Sequence, residues 1–180
     1  MSNALEAPVP DPITEAAAYQ QHLLSLLGDD DPAEVQASTP GAMQRLIDEA
    51  GPGLTARPDA KEWSALECLA HVTDAELVMS GRYRFVLAQD VPPLIGYDQD
   101  LWVQRLHGAN DDPSRLLELF QALRSQNVAL YRASSPADRE RIGMHAERGP
   151  ESFYLAFRMI AGHDRFHIAQ AGRALSSASG

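Results

Sequence analysis

The sequence predicts an all-α domain of packed long helices. Three observations carry this: apolar stripes at helical spacing, X-Pro pairs ahead of almost every such stripe, and no long alternating runs of the strand type. In Asp11-Pro12, Asp31-Pro32, Thr39-Pro40, Asp112-Pro113 and Gly149-Pro150 the first residue suits a cap and the proline suits the first helical position. There its missing N–H and fixed φ cost nothing. Asp31 with Glu34 also resembles a capping box.

Taken in order, the patterns predict a helix over 13–27, a short one over 33–37, another over 41–50, and a long one over 62–89. The segment 90–111 is too long for a tight helical hairpin and reads as a crossover, with a helical turn near Gln99 to His107. A crossover of that length lets two consecutive bundle helices run parallel. A helix over 113–134 carries Leu116, Phe120, Leu123, Asn127 and Tyr131 along one face, and one over 150–175 carries Phe153, Phe157 and Ile160 on a similar stripe. Residues 1–12 and 176–180 are expected to be flexible ends, and 13–175 a single domain.

Composition narrows the function classes. The 180 residues are 44% hydrophobic, enough for one substantial core. A formal net charge of -10 opposes binding to phosphate backbones or anionic lipid, so neither nucleic acid nor membrane is expected as a partner. No stretch approaches the roughly 18 apolar residues of a membrane span, and the first dozen residues lack the basic and apolar regions of an export signal. Cys68 is the one cysteine, which rules out an internal disulfide and suits a reducing cytoplasm.

Three histidines stand out. His163 and His167 lie one turn apart in AGHDRFHIAQ, on the continuation of the Phe157 and Ile160 stripe, and therefore at core positions. His71, in EWSALECLAHVTDAE, lies on a line with Ser64, Cys68, Ala75 and Val78, mostly small side chains that leave room around an imidazole. Counted along their helices, the three rings reach one level if the helices run antiparallel. A third helix would then bring Gln121, Arg124 or Asn127 there as well. Three imidazoles meeting in this way make a metal site with positions left for water or substrate. An HxxxH pair is nonetheless a weak motif in a chain with six histidines, and Asp164 stands where a metalloprotease HExxH would carry glutamate. From pattern alone the trio reads either as a metal site or as hydrogen-bonded core histidines.

The stretches EWSALECLAHVTDAE, YDQDLW, LLELFQALRSQNVALYR, IGMHAERG and AGHDRFHIAQ, in this order over about residues 41 to 175, resemble the DinB/YfiT-like superfamily. The resemblance implies a four-helix bundle of up-down-down-up topology, often dimeric. It also implies a divalent ion on one histidine of the second helix and an HxxxH pair of the fourth, here His71, His163 and His167. The first 40 residues are less readily matched and are expected to add an extra N-terminal helix, packed on the bundle or at a subunit contact. The implied activity is metal-dependent chemistry on a small molecule, either hydrolysis or transfer to a low-molecular-weight thiol such as bacillithiol or mycothiol. The competing reading is a non-enzymatic, stress-related bundle that binds metal or ligand.

All-nitrogen ligation suits zinc or nickel, with iron or manganese as further candidates. Glu67 and Asp74, one turn either side of His71, are candidates to orient that imidazole or act as bases, or else are solvated carboxylates. Arg124 is a candidate to hold a substrate carboxylate, or else a partly exposed bundle arginine. Asp100 and Trp102 on the crossover suit a lid, Trp102 also a packing anchor. Cys68 reads as packing, and His145 as part of a structured turn with Glu147 and Arg148, outside the metal site. His22 and His107 carry no signal beyond surface or partial burial.

Overall fold

The computed structural model describes residues 9–12 and 14–178. Seven helices are described: α1 (Ala16–Leu27), α2 (Pro32–Ala50), α3 (Ala65–Ala88), α4 (Gln99–Leu106), α5 (Pro113–Ala133), α6 (Pro136–Arg139) and α7 (Phe153–Ala178). A 3-10 turn covers Gly51–Thr55, and three short strands, β1 (Pro93–Leu94), β2 (Ile142–His145) and β3 (Gly149–Ser152), form one small sheet.

The bundle consists of α2, α3, α5 and α7, and its side-chain pairings fix the directions. Thr73 reaches Leu116 and Ser80 reaches Asn127, so α3 and α5 run parallel, as the crossover permits. His71 meets His163 while Tyr83 meets Phe153, so α3 and α7 run antiparallel. Gln36 reaches Phe157 and Thr39 reaches Asp164, so α2 and α7 run parallel. The result is the up-down-down-up bundle. The extra N-terminal helix, α1, lies along α7, with Leu23 at Gly162 and the Leu26 carbonyl accepting from Arg165.

Several caps act as the sequence indicates. Asp112 accepts from the N–H groups of Ser114 and Arg115, and Asp31 from those of Ala33 and Glu34. Glu34 does not return the bond, because its carboxylate pairs with Arg132 at 2.6 Å. Ser64 and Glu67 form the complete capping box of α3, which therefore begins at 65 and not at 62.

Three X-Pro pairs depart from expectation. Asp11-Pro12 precedes a turn, with Asp11 accepting from Thr14 at 2.6 Å, and α1 begins at Ala16; Ile13, the expected first residue, lies outside the described residues. Gly149-Pro150 opens β3, and α7 starts only at Phe153 and continues to Ala178, beyond the expected end. The helices expected over 33–37 and 41–50 are one, with Pro40 inside α2. An internal proline leaves the carbonyl four residues earlier without its helical donor, here that of Gln36. The Arg124 guanidinium supplies the missing bond at 3.2 Å, so α2 passes through its proline unbroken.

The small sheet was not foreseen. β2 pairs antiparallel with β3, placing His145 opposite Gly149 at φ 75°, and parallel with β1 from the crossover. It closes one end of the bundle beside an aromatic cluster of Tyr83, Tyr131, Phe153 and Phe157, in which Tyr131 and Phe157 stack at 3.9 Å between centroids. On α5 the buried face is centred on Leu117, Phe120, Arg124, Asn127, Val128 and Tyr131, while Leu116 and Leu123 are only half-buried. Among the described residues no helix is long and apolar enough to cross a membrane.

Candidate metal centre

α3 and α7 bring the three histidines together. One ring nitrogen from each of His71, His163 and His167 lies within 4.8 Å of the other two. The Nε2 atoms of His71 and His163 are 3.0 Å apart, and the ring centroids lie 4.3 to 5.0 Å from one another. The rings are 1%, 6% and 2% exposed. Burial, reinforced by the neighbouring imidazoles, holds all three pKa values well below the usual histidine range, so each ring is neutral at pH 7. Neutral imidazole is the form that ligates a cation.

The donors fit a divalent ion. Metal–nitrogen bonds of roughly 2.0–2.1 Å at tetrahedral angles place ligand nitrogens about 3.3 Å apart. The His71 and His163 pair is close to that. His167 donates from Nδ1 to Gln170 at 2.9 Å, which leaves its Nε2 lone pair inward, buried and without a partner. A second-sphere bond of this kind sets the tautomer that a ligating histidine needs. Trp63 lies 4.8 Å from the His71 ring and stacks on His167 at 5.9 Å, and Phe166 meets His167 edge-on, giving the trio an apolar wall.

The roles considered for the flanking residues fall differently. Glu67 neither orients His71 nor stands free as a base: it closes the α3 capping box and pairs with Arg57. Asp74 binds His107 Nε2 at 2.8 Å, and Asp111 holds the opposite nitrogen of that ring at 2.8 Å, so His107 is an organised link between α3 and the crossover. Arg124 is neither a partly exposed side chain nor free to meet a substrate. It is 2% exposed, bonded to Asp164 and 2.8 Å from Glu76. Asp164 also accepts from Thr39 at 2.8 Å, and Asn127 donates to Glu76 at 2.8 Å. This charged knot ties α2, α3, α5 and α7 together directly behind His163. Glu76 and Trp63 were not singled out in the sequence. Helical spacing of Glu76 with the buried Thr73, Ser80 and Tyr83 is the available signal for Glu76, and the position of Trp63 just ahead of that helix the signal for Trp63.

Beside the trio is a cavity of about 320 Å³ that begins at His163. It follows Ala75 and Met79 on α3 and Ile160 and Ala156 on α7, and it ends at His145 and Arg82 beneath the sheet. Asp100 borders this cavity and a smaller one of about 160 Å³ at His167, whereas Trp102 packs on Tyr97 at 4.6 Å. Cys68 is fully buried against Ala65 and Ala171, with its thiol pushed up to about 12 by burial, and serves as packing. His145 lies outside the trio but shares its cavity. His22 packs edge-on against Phe166.

The family model described as the DinB superfamily matches residues 22–171. A protein of Oceanobacillus iheyensis, named "Putative metal-dependent hydrolase", is 27% identical over 107 residues, covering 59% of this chain and 62% of that protein. One of the same name from Bacillus licheniformis is 24% identical over 108 residues, covering 59% and 61%. The chain thus spans less than two thirds of the length of these curated relatives. Among solved structures, YfiT from Bacillus subtilis, titled a probable metal-dependent hydrolase with an unusual four-helix bundle topology, superposes with a TM-score of 0.73 at 18% identity. The match covers 94% of this chain and 91% of that one.

Proposed function

Because the chain belongs to the DinB superfamily, we propose that it is a metal-dependent enzyme acting on a small molecule, with His71, His163 and His167 holding a divalent ion. The carrying observation is the buried, neutral trio, with an orphaned Nε2 on His167 and with His163 at the head of a cavity. Zinc or nickel suits an all-imidazole donor set. A bound ion supplies Lewis acidity and makes a coordinated water or thiol more acidic. Gln170 orients His167, Trp63 packs its ring against that imidazole, and the Arg124–Asp164–Glu76 knot fixes the turn of α7 that carries His163.

Hydrolysis is the leading reaction; transfer to a low-molecular-weight thiol is the second, favoured by the lack, among the described residues, of a carboxylate committed to the trio as a base, since a thiol would bring its own nucleophile. The names of the relatives support the first. Elemental analysis of protein purified without an affinity tag tests the site. About one equivalent of divalent metal is expected in the wild type, and little in His71→Ala or His163→Ala, with helical circular dichroism retained. Equal metal content in all three would refute it. Metal-loaded protein offered esters, amides and electrophiles with and without thiol then separates the two reactions.

A further inference from the structure

The far end of the cavity contains two buried polar side chains, Arg82 and His145, that are only partly matched. Arg82 is 8% exposed and forms no ion pair among the described residues. Its guanidinium donates to the Ile95 carbonyl and lies 3.7 Å from the Met79 thioether, while Nε has no partner. A buried guanidinium without a counter-ion is costly, and a cavity at its side offers the place for one.

His145, 2% exposed, points to the same chemistry. Its Nδ1 accepts from the backbone N–H groups of Glu147 and Arg148 at 3.2 and 3.4 Å, so in the neutral ring the proton sits on Nε2. That Nε2–H is a buried donor with no acceptor. Arg148 is already matched, its Nε donating to Glu151 at 2.7 Å. The unsatisfied groups at this end are therefore donors, and the unmatched buried charge is positive.

The cavity also has direction. His71, Ala75, Met79 and Arg82 follow one stripe of α3, so the guanidinium is based eleven residues, or about 16 Å of helix, from the first histidine. The middle is apolar, through Leu23, Ala156, Met159 and Ile160. Asp98 and Asp100 also border the cavity near its exposed mouth, and the Glu147 carboxylate lies 4.0 Å from His145 Nδ1, on the side of the ring away from Nε2, so a ligand carrying several negative charges would be repelled.

We infer that the substrate is a small amphipathic monocarboxylate, its carboxylate docked on Arg82 and the His145 Nε2–H and its reacting group at the three histidines. This rests on the proposed metal-dependent function for the reacting end alone, because the carboxylate end is built by other residues.

Two pairs of probes test it by calorimetry. Metal-free protein is titrated with octanoate and with octanamide; zinc-loaded protein with the monohydroxamate of octanedioic acid and with its methyl ester. The acid is expected to bind at least tenfold tighter than its neutral partner in each pair. In Arg82→Met that ratio should fall to about one while the affinity of the neutral probe is unchanged. Equal affinities in the wild type, or a preference that survives in Arg82→Met, would overturn the inference. If Arg82→Met does not fold, the wild-type ratio still decides, and Arg82→Lys, which keeps the charge, should retain a preference. A preference in metal-free protein whose histidines take up no ion would leave the carboxylate site standing and remove the enzyme reading. A bound ion with no preference would do the reverse.

Discussion

Replacing Arg124 by methionine is the sharpest test of how the bundle holds the trio in place. The substitution preserves most of the side-chain volume and removes the charge. It strands two carboxylates, Glu76 and Asp164, whose side chains are 0% and 1% exposed, with only Asn127 and Thr39 left to donate to them. It also orphans the Gln36 carbonyl, which Pro40 denies a helical partner. Breaking a buried ion pair by removing one partner costs about 3–5 kcal/mol. An unsatisfied buried carbonyl adds roughly 1–3 kcal/mol. A loss of about 4–8 kcal/mol at pH 7.5 is therefore expected by urea denaturation, a large part of the stability of an ordinary domain. Burial already raises the Asp164 pKa, and without the guanidinium it rises further. A carboxylate whose folded pKa lies above its unfolded value destabilises the fold when ionised, so the deficit should shrink as pH falls through the folded pKa. Combining Arg124→Met with Glu76→Gln and Asp164→Asn should recover at least half of the loss. A single-variant loss under about 1 kcal/mol, or a triple variant no more stable than the single, would refute the reasoning.

Two further perturbations follow from the same geometry. In metal-free protein the three histidines have folded pKa values far below the unfolded value near 6.5, so below that pH the unfolded chain binds protons that the folded one refuses. Stability should then fall by about 1.4 kcal/mol per histidine, about 4 kcal/mol in all, between pH 7.5 and 5.5. His145, held down to about 4 by burial and then by the nearby Arg148 and Arg82, steepens the decline over the same window. Denaturation curves that coincide at the two pH values would contradict this. At Gly162 α1 packs so closely on α7 that a Cβ would collide with the Leu23 carbonyl. Gly162→Ala should push α1 away and cost about 1–3 kcal/mol in a denaturation assay. Unchanged stability would show that α1 is not held by this contact.

The bundle helices and the histidine trio were legible in the chain because their signals are local or periodic. Asp31 and Asp112 cap helices within three residues of themselves, and the stripe from Phe157 to His167 runs along one face of a single helix. With the antiparallel pairing of α3 and α7, that spacing is enough to bring the rings to one level. What the flanking charges do was decided only by tertiary structure. Glu67 and Asp74 sit symmetrically about His71 in sequence, yet one closes a cap against Arg57 and the other meets His107 from the crossover. Arg124 reaches the level counted for it but is consumed by two carboxylates from other helices and by the carbonyl that Pro40 leaves bare. Strands of two to four residues have too little periodicity to announce themselves, and their pairing joins the crossover to the hairpin before α7. Helix periodicity states which residues face inward; which of those partners meet depends on the rotation and packing of neighbouring helices, which no single segment encodes.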